Sequence, residues 1–318
     1  MKPIIPERLR QGDTVALIAP ASPPLEPEHV DESIAALESL GFAVRLGRHA
    51  RRRSGFLAGT PRERAEDVMR MFRDPRVKAI FCVRGGYGSA QILPRLDYEI
   101  IRRNPKILAG CSDVTSLLCA LRVKTGLVTF HGPMPASDFI RADLPPFTRE
   151  SFLRTLMQPE PPGGIRQGYS GDTVSVLRPG KAAGKLIGGN LSILCTLVGT
   201  PWEPSFRGKI LFLEDVGEAP YRIDRMLTHL LNAGLLQQAA GIAIGLCKDC
   251  LDPRAKTSRE PRQTLEDVFR ERLRPLKVPV VTGLPFGHGP DNATIPIGIR
   301  AVLDAKSGDL EITQAAVR

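Results

Sequence analysis

The stretch Thr14-Val15-Ala16-Leu17-Ile18-Ala19 is apolar without alternation and is closed by Pro20. A strand with one face in water alternates polar and apolar residues. A continuous run of this length therefore reads as a strand covered on both faces, the kind that builds parallel sheets. Working outward, residues 30–40 are expected to form a helix, because Ile34, Leu37 and Leu40 recur at a spacing of three and Gly41 stands just past the end. Residues 43–46 then read as a strand, 61–72 as a helix, 77–83 and 107–109 as strands, 114–121 as a helix and 127–130 as a strand. Strands alternating with helices predict βαβ units in an α/β fold, with an open parallel sheet carrying helices on both faces.

Residues 133–180 break this rhythm. Pro145-Pro146 and Pro159-Glu160-Pro161-Pro162-Gly163-Gly164 continue neither a helix nor a central strand. They are read as a linker holding one helix at 147–156. Beyond it, strands are expected at 184–187, 210–213, 241–246 and 278–281, with helices at 191–197, 221–231 and 265–273. A closing hairpin of 301–304 and 310–313 turns at Ser307-Gly308. The expected organisation is an N-terminal α/β domain over 1–145, a linker over 146–180 and a smaller C-terminal α/β domain over 181–318. The length of 318 residues fits two domains of roughly 150 each.

Composition narrows the class. The chain carries 44 Lys and Arg against 34 Asp and Glu, a formal charge of +10, and is 42% hydrophobic. That apolar content excludes a disordered chain. No apolar run approaches the roughly 20 residues that span a bilayer, so no membrane partner is expected. The N-terminal residues lack the apolar core of a secretory signal, and a soluble cytoplasmic protein is the expectation. The charge suggests nucleic acid, yet the arginines are scattered. Their one dense run, Arg51-Arg52-Arg53 beside Arg48 and His49, has Phe56 as its only aromatic neighbour. A nucleic-acid surface needs stacking partners or a recognisable module, so this run reads as a solvated basic loop and no nucleic-acid partner is expected. Cysteines stand at 82, 111, 119, 195, 247 and 250, read as reduced thiols. Cys247-Lys248-Asp249-Cys250 has CxxC spacing without the second ligand pair of a zinc site, so no metal is expected.

In open α/β sheets ligands bind at the carboxyl ends of strands. Four segments follow predicted strands there: Arg84-Gly85-Gly86-Tyr87-Gly88, Gly110-Cys111-Ser112-Asp113, Glu214-Asp215 and Gly287-His288-Gly289. The first fits neither a dinucleotide nor a P-loop pattern. Its glycines let backbone approach a ligand and aim N–H groups at it, as an oxyanion hole requires, or else make a plain tight turn. Ser112 lies on a strand-to-helix turn, where a serine is either a nucleophile held above the sheet or a helix N-cap. Cys111 is a rival nucleophile. Of five histidines, His131 and His288 both follow strands among glycines and are nearly tied as the base. Glu214 closes an apolar run, and a carboxylate buried there must be paired or hydrogen-bonded.

These segments, together with Val15–Pro23, Phe130-His131-Gly132-Pro133, Gly188-Gly189-Asn190-Leu191 and Tyr221-Arg222-Ile223-Asp224-Arg225, resemble the LD-carboxypeptidase family of serine peptidases in order from about residue 14 to 298. The family includes the muramoyltetrapeptide carboxypeptidases and is related to microcin C self-immunity peptidases. The resemblance implies a flavodoxin- or amidotransferase-like N-terminal fold and an active site in the interdomain cleft. It implies a triad of Ser112, His288 and Glu214, with the backbone N–H groups of Gly86 and Asp113 as oxyanion hole, and no cofactor. It leaves His131 structural or substrate-side. Arg84, Gly85 and Asn190 become candidate substrate contacts. Arg84 is chosen because arginine pairs bidentately with a free carboxylate, although it could equally serve a structural ion pair. The implied substrate is a peptidoglycan tetrapeptide, the implied product free D-alanine, and the implied assembly a homodimer. Where the family usually has a bulky residue before the serine, this chain has Cys111, a possible site of oxidation or labelling. Rival readings are a peptidase cleaving a microcin-type peptidyl-nucleotide, a non-catalytic ligand-binding α/β protein with Ser112 as a cap, and a cysteine amidotransferase using Cys111.

Overall fold

Thirteen residues from Pro61 begin at a capping box, in which the Thr60 hydroxyl accepts from Glu63 N–H and the Glu63 carboxylate accepts from Thr60 N–H. Such local signals lay out the first half of the computed structural model, which describes residues 2–252 and 263–318. In order it forms β1 (Thr14–Ile18), α1 (His29–Ser39), β2 (Ala43–Leu46), α2 (Pro61–Arg73), β3 (Val77–Cys82) and α3 (Tyr98–Arg103). Then come β4 (Ile107–Gly110), α4 (Thr115–Thr125), β5 (Thr129–His131) and α5 (Pro146–Met157). The second half forms β6 (Gly163–Gly164), β7 (Ser175–Arg178), β8 (Lys181–Asn190), α6 (Leu191–Leu197), β9 (Ile210–Glu214) and α7 (Pro220–Asn232). It ends with β10 (Gly241–Leu246), α8 (Leu265–Leu273), β11 (Val280–Gly287), β12 (Ile295–Ile297), β13 (Arg300–Asp304) and β14 (Asp309–Ile312).

The first sheet has the order β12-β5-β4-β3-β1-β2 and is parallel from β5 to β2. Val15 to Ile18 are fully buried, as a strand covered on both faces requires. From β1 the chain steps to β2 on one side, then crosses over to β3, β4 and β5 on the other. The order reverses between β1 and β3, and their carboxyl ends, residues 20–25 and 84–88, flank the crevice where such sheets bind ligands. The second sheet has the order β6-β14-β13-β8-β9-β10-β11-β7, with β8 to β11 parallel and antiparallel strands on both edges. The chain is thus an α/β protein with two sheets, and the second has more strands than the first.

Two expectations change. The first sheet is not wholly parallel: Ile295–Ile297 returns from the C-terminal half and pairs antiparallel with β5. Three residues of Ile-Pro-Ile carry too little periodicity to show on their own. The segment read as a linker supplies both outer strands of the second sheet, β6 against β14 and β7 against β11. Glycine and proline nearby fit edge positions, where ladder bonds are needed on one side only. Outside those expectations, residues 98–103 form a short helix, with Asp97 capping it through Ile100 N–H.

Strand β8 runs through Gly184, Gly188 and Gly189, which would weaken an ordinary strand. Here the lack of side chains is needed. Gly188 has φ +149°, and a Cβ there would overlap the Phe212 carbonyl oxygen on β9. Gly188→Ala is expected to destabilise the fold by about 3 kcal/mol, since backbone must move to make room. Urea denaturation followed by circular dichroism checks this, and a change below about 0.5 kcal/mol, the scatter of a neutral surface substitution, would contradict it.

Candidate active site

Strand β4 delivers Cys111 and Ser112 to its carboxyl end, and the chain turns there into a short 3-10 turn, Ser112–Val114, that runs into α4. Ser112 holds φ +59°, a left-handed conformation that costs a serine on the order of 1–3 kcal/mol. Its hydroxyl caps neither helix start, so the N-cap reading of Ser112 does not hold. Ser112 is left half-buried at the strand end.

Gly85 lies against it. A Cβ on Gly85 would stand 2.7 Å from Ser112 Cβ and 3.0 Å from Oγ, so only glycine fits. The loop is fixed from the other side by Ser22, at the end of β1. Ser22 N–H donates to Gly85 O (3.2 Å), Tyr87 N–H donates to Ser22 Oγ (3.0 Å), and Ser22 Oγ donates to Phe56 O (2.6 Å). Gly86 has φ +96°, which turns the backbone between these anchors. Asp113 is buried, its carboxylate accepting from Ser89 N–H (2.8 Å) and its carbonyl from the Ser89 hydroxyl. Its own N–H, in the first turn of a helical segment, has no intrahelical partner.

The second sheet brings the carboxylate and the imidazole. Glu214 ends β9 with 1% exposure, and its Oε2 stands 2.6 Å from His288 Nδ1. Burial opposes the charge on Glu214. The His288 charge and hydrogen bond overcome it and hold the carboxyl below its ordinary value. Burial likewise opposes protonation of His288, and Glu214 overcomes that, raising the imidazole above 6.5. His288 reaches Glu214 because Gly287, at φ +111°, lets backbone pass where a Cβ would stand 2.9 Å from Glu214 Oε2. The loop beyond is pinned to α5: Asn292 N–H donates to Thr148 Oγ1 (2.9 Å) and Thr294 N–H to Ser151 Oγ (3.1 Å).

The two histidines separate here. His131 is fully buried, with Nε2 3.8 Å from Glu214 Oε1, and burial pushes its pKa down to about 4. It stands opposite Gly110 on the neighbouring strand β4, so Glu214 arrives beside the strand end that carries Ser112. The sheets also meet directly, since Asn190 N–H donates to Thr115 Oγ1 (3.1 Å) and Gly189 packs on Thr115. Asn190 itself uses its amide on Asp215 (3.1 Å) and on Ile193 N–H at the start of α6 (3.2 Å). Asp215 accepts from Ser192 and Val216 as well, and burial raises its pKa.

Cys111 is buried and burial pushes its thiol well above the ordinary value, the reverse of an activated thiolate. Arg84 is half-buried and donates to Pro23 O (3.2 Å), with no carboxylate partner among the described residues. Among the described residues no group of three or more His, Cys, Asp and Glu is placed to hold a metal ion, and no helix is long and apolar enough to cross a membrane. Sequence reasoning missed Asp138, half-buried and close enough to favour protonated His288, and the buried serine and threonine props Ser89, Thr115 and Thr148. Ser22 had a visible signal, its place just after β1.

Residues 15–132 match the LD-carboxypeptidase N-terminal domain, and residues 183–303 the LD-carboxypeptidase C-terminal domain. The chain belongs to the LD-carboxypeptidase family. A probable murein peptide carboxypeptidase of Bacillus subtilis is 41% identical over 299 residues, covering 94% of this chain and 91% of that protein. A crystal structure of muramoyltetrapeptide carboxypeptidase from Oxalobacter formigenes matches with TM-score 0.79 at 33% identity, covering 94% and 97% of the two chains. The microcin C7 self-immunity protein MccF, in complex with glutamyl sulfamoyl guanosine, matches with TM-score 0.89 at 26% identity over 99% and 100%. As an LD-carboxypeptidase family member this protein is a serine-type carboxypeptidase.

The geometry predicts opposite titrations for the two histidines. NMR of the imidazole carbons should show His288 protonating above pH 6.5 and His131 staying neutral down to about pH 4. Glu214→Gln removes the charge that favours the imidazolium, so the His288 midpoint should move down. An unchanged midpoint would contradict the assigned pair.

Proposed function

We propose that this enzyme hydrolyses the L,D-peptide bond that releases terminal D-alanine from a peptidoglycan tetrapeptide, using Ser112, His288 and Glu214. The observation that carries the reading is the 2.6 Å contact of His288 with buried Glu214, brought to the strand end where Ser112 stands on its strained turn. Glu214 accepts from the Nδ1 side of the imidazole, which leaves Nε2 as the lone-pair nitrogen for the serine. In this reading His288 takes the proton of Ser112 as the hydroxyl attacks the amide carbonyl. The N–H groups of Gly86 and Asp113 meet the oxyanion, each worth roughly 3–4 kcal/mol in other hydrolases. His288 then protonates the leaving amine, and water resolves the acyl-enzyme.

The pairing also sets the pH dependence. His288 must be neutral to act as base, and its pKa is raised on the Glu214 side, so activity falls as pH drops through a value above 6.5.

The proposed division places Ser112 in an N-terminal domain (1–145) and its partners in a C-terminal one (181–318), with the site between them. Peptide-nucleotide cleavage is the second reading, favoured by the match to MccF at TM-score 0.89. The one tryptophan, Trp202, is half-buried against the core, which leaves it poorly suited to stack on a nucleobase. The peptidoglycan reading is preferred because the murein peptide carboxypeptidase of Bacillus subtilis is 41% identical to this chain, against 26% for the MccF structure. A homodimer acting in the cytoplasm completes the proposal, on the resemblance to the family.

Purified enzyme incubated with disaccharide-tetrapeptide should release D-alanine, followed by mass spectrometry. Ser112→Ala should lower the rate by at least about 10³-fold. Release of an amino acid from a peptidyl-adenylate but not from the tetrapeptide would establish the second reading instead.

A further inference from the structure

Two short segments, 53–56 and 84–87, each place an arginine and an aromatic three residues apart: Arg53 with Phe56, and Arg84 with Tyr87. The chain folds them onto the same piece of backbone, the turn after β1. Ser22 bonds Phe56 O and Tyr87 N–H (2.6 and 3.0 Å), Pro23 O accepts from Arg84 Nη1 (3.2 Å), and Pro24 O accepts from Arg53 Nη2 (2.6 Å). Leu25 O accepts from Arg53 as well. The two rings meet edge to face at 5.5 Å and remain open to water, Phe56 at 67% and Tyr87 at 52% exposure.

The two guanidinium groups bond successive carbonyls, Pro23 O and Pro24 O, and burial together with the Arg53 charge lowers the pKa of Arg84. Neither has a carboxylate partner among the described residues. Elsewhere in the chain arginines find acids readily, as Arg51 does with Asp31 and Arg272 with Asp224. Two like charges held together without a counter-charge repel, and an anion entering between them relieves the repulsion. Guanidinium forks match the two oxygens of a carboxylate. The carbonyls of Pro23, Pro24 and Leu25 occupy only part of the ten N–H donors the two groups carry. The location fits as well, because both arginines converge on the loop at the β1–β3 reversal, and Arg84 precedes the Gly85 that packs on Ser112.

We propose that Arg53 and Arg84 form a paired-guanidinium subsite that binds a free carboxylate of the substrate, with Phe56 and Tyr87 as its apolar wall. This rests on the peptidase reading above and names what makes the enzyme select its substrate. A tetrapeptide offers two carboxylate sources, the C-terminal one and a side-chain one further in, and both present the same chemistry.

The test compares kcat/KM for three versions of the tetrapeptide: free acid, C-terminal amide and internal side-chain amide. Wild type should prefer the free acid over one of the two amides by about 10- to 100-fold, the range of a charge-assisted hydrogen-bonded contact. Which amide suffers identifies the carboxylate held. In Arg84→Gln and in Arg53→Gln that ratio should fall toward 1, mostly through KM, while Arg84→Lys keeps part of it. Arg53 is exposed, so its variant guards against a folding defect. A wild type that processes no version would overturn the peptidase reading and the subsite with it. An active wild type without preference, or one whose preference survives both Gln variants, would overturn the subsite alone.

Discussion

A carboxylate buried at the end of a central strand keeps its charge only when a partner is brought to it. Glu214 has 1% exposure, and the energy of an unpaired charge there would push the group to its neutral form. His288 meets this demand from β11, and the means of delivery explain much of the surrounding structure. Gly287 clears the space in which a side chain would strike Glu214. Thr148 and Ser151 of α5 hold the loop that follows, and β12 continues it onto the edge of the first sheet. The segment between the sheets is therefore a brace for the imidazole. The same path leaves His131, neutral and fully buried, beside the second oxygen of Glu214, where it adds bulk without competing for the proton.

The serine side follows a parallel logic in the first sheet. Ser112 is held in a conformation that costs energy, and the neighbours that hold it are short polar side chains on adjacent turns. Ser22 and Ser89 bond the glycine loop and Asp113 from opposite sides. Thr115 ties the start of α4 to Asn190 at the end of β8. The strained turn and the two backbone donors are thus positioned by contacts within and between the sheets. In the proposed mechanism such rigidity matters, because donors fixed in advance need no reorganisation as charge develops.

Much of this was legible in the residues. The apolar runs at 14–18, 77–82 and 210–214 became strands because continuous burial leaves that signature. Ser112, Glu214 and His288 each follow such a run, which is why position alone nominated them. The choice between His131 and His288 was not legible from local pattern, since both follow strands among glycines. Burial is what separates the two imidazoles, and burial is a property of the assembled sheets. The N-cap reading of Ser112 fails for a similar reason: the residue sits at positive φ inside the turn, and neither helix start there has a side-chain cap. Strands β6, β7 and β12 escaped notice because two to four residues carry no usable period. Their pairing depends on partners more than a hundred residues away.

The central claim is that Ser112, activated through His288, is the nucleophile. Labelling the enzyme with an active-site-directed fluorophosphonate and mapping the adduct by peptide mass spectrometry tests it most directly. The account predicts a single adduct on Ser112 that is lost in His288→Ala, with Cys111 untouched in its buried position. An adduct on another residue, or full labelling of Ser112 without His288, would contradict it.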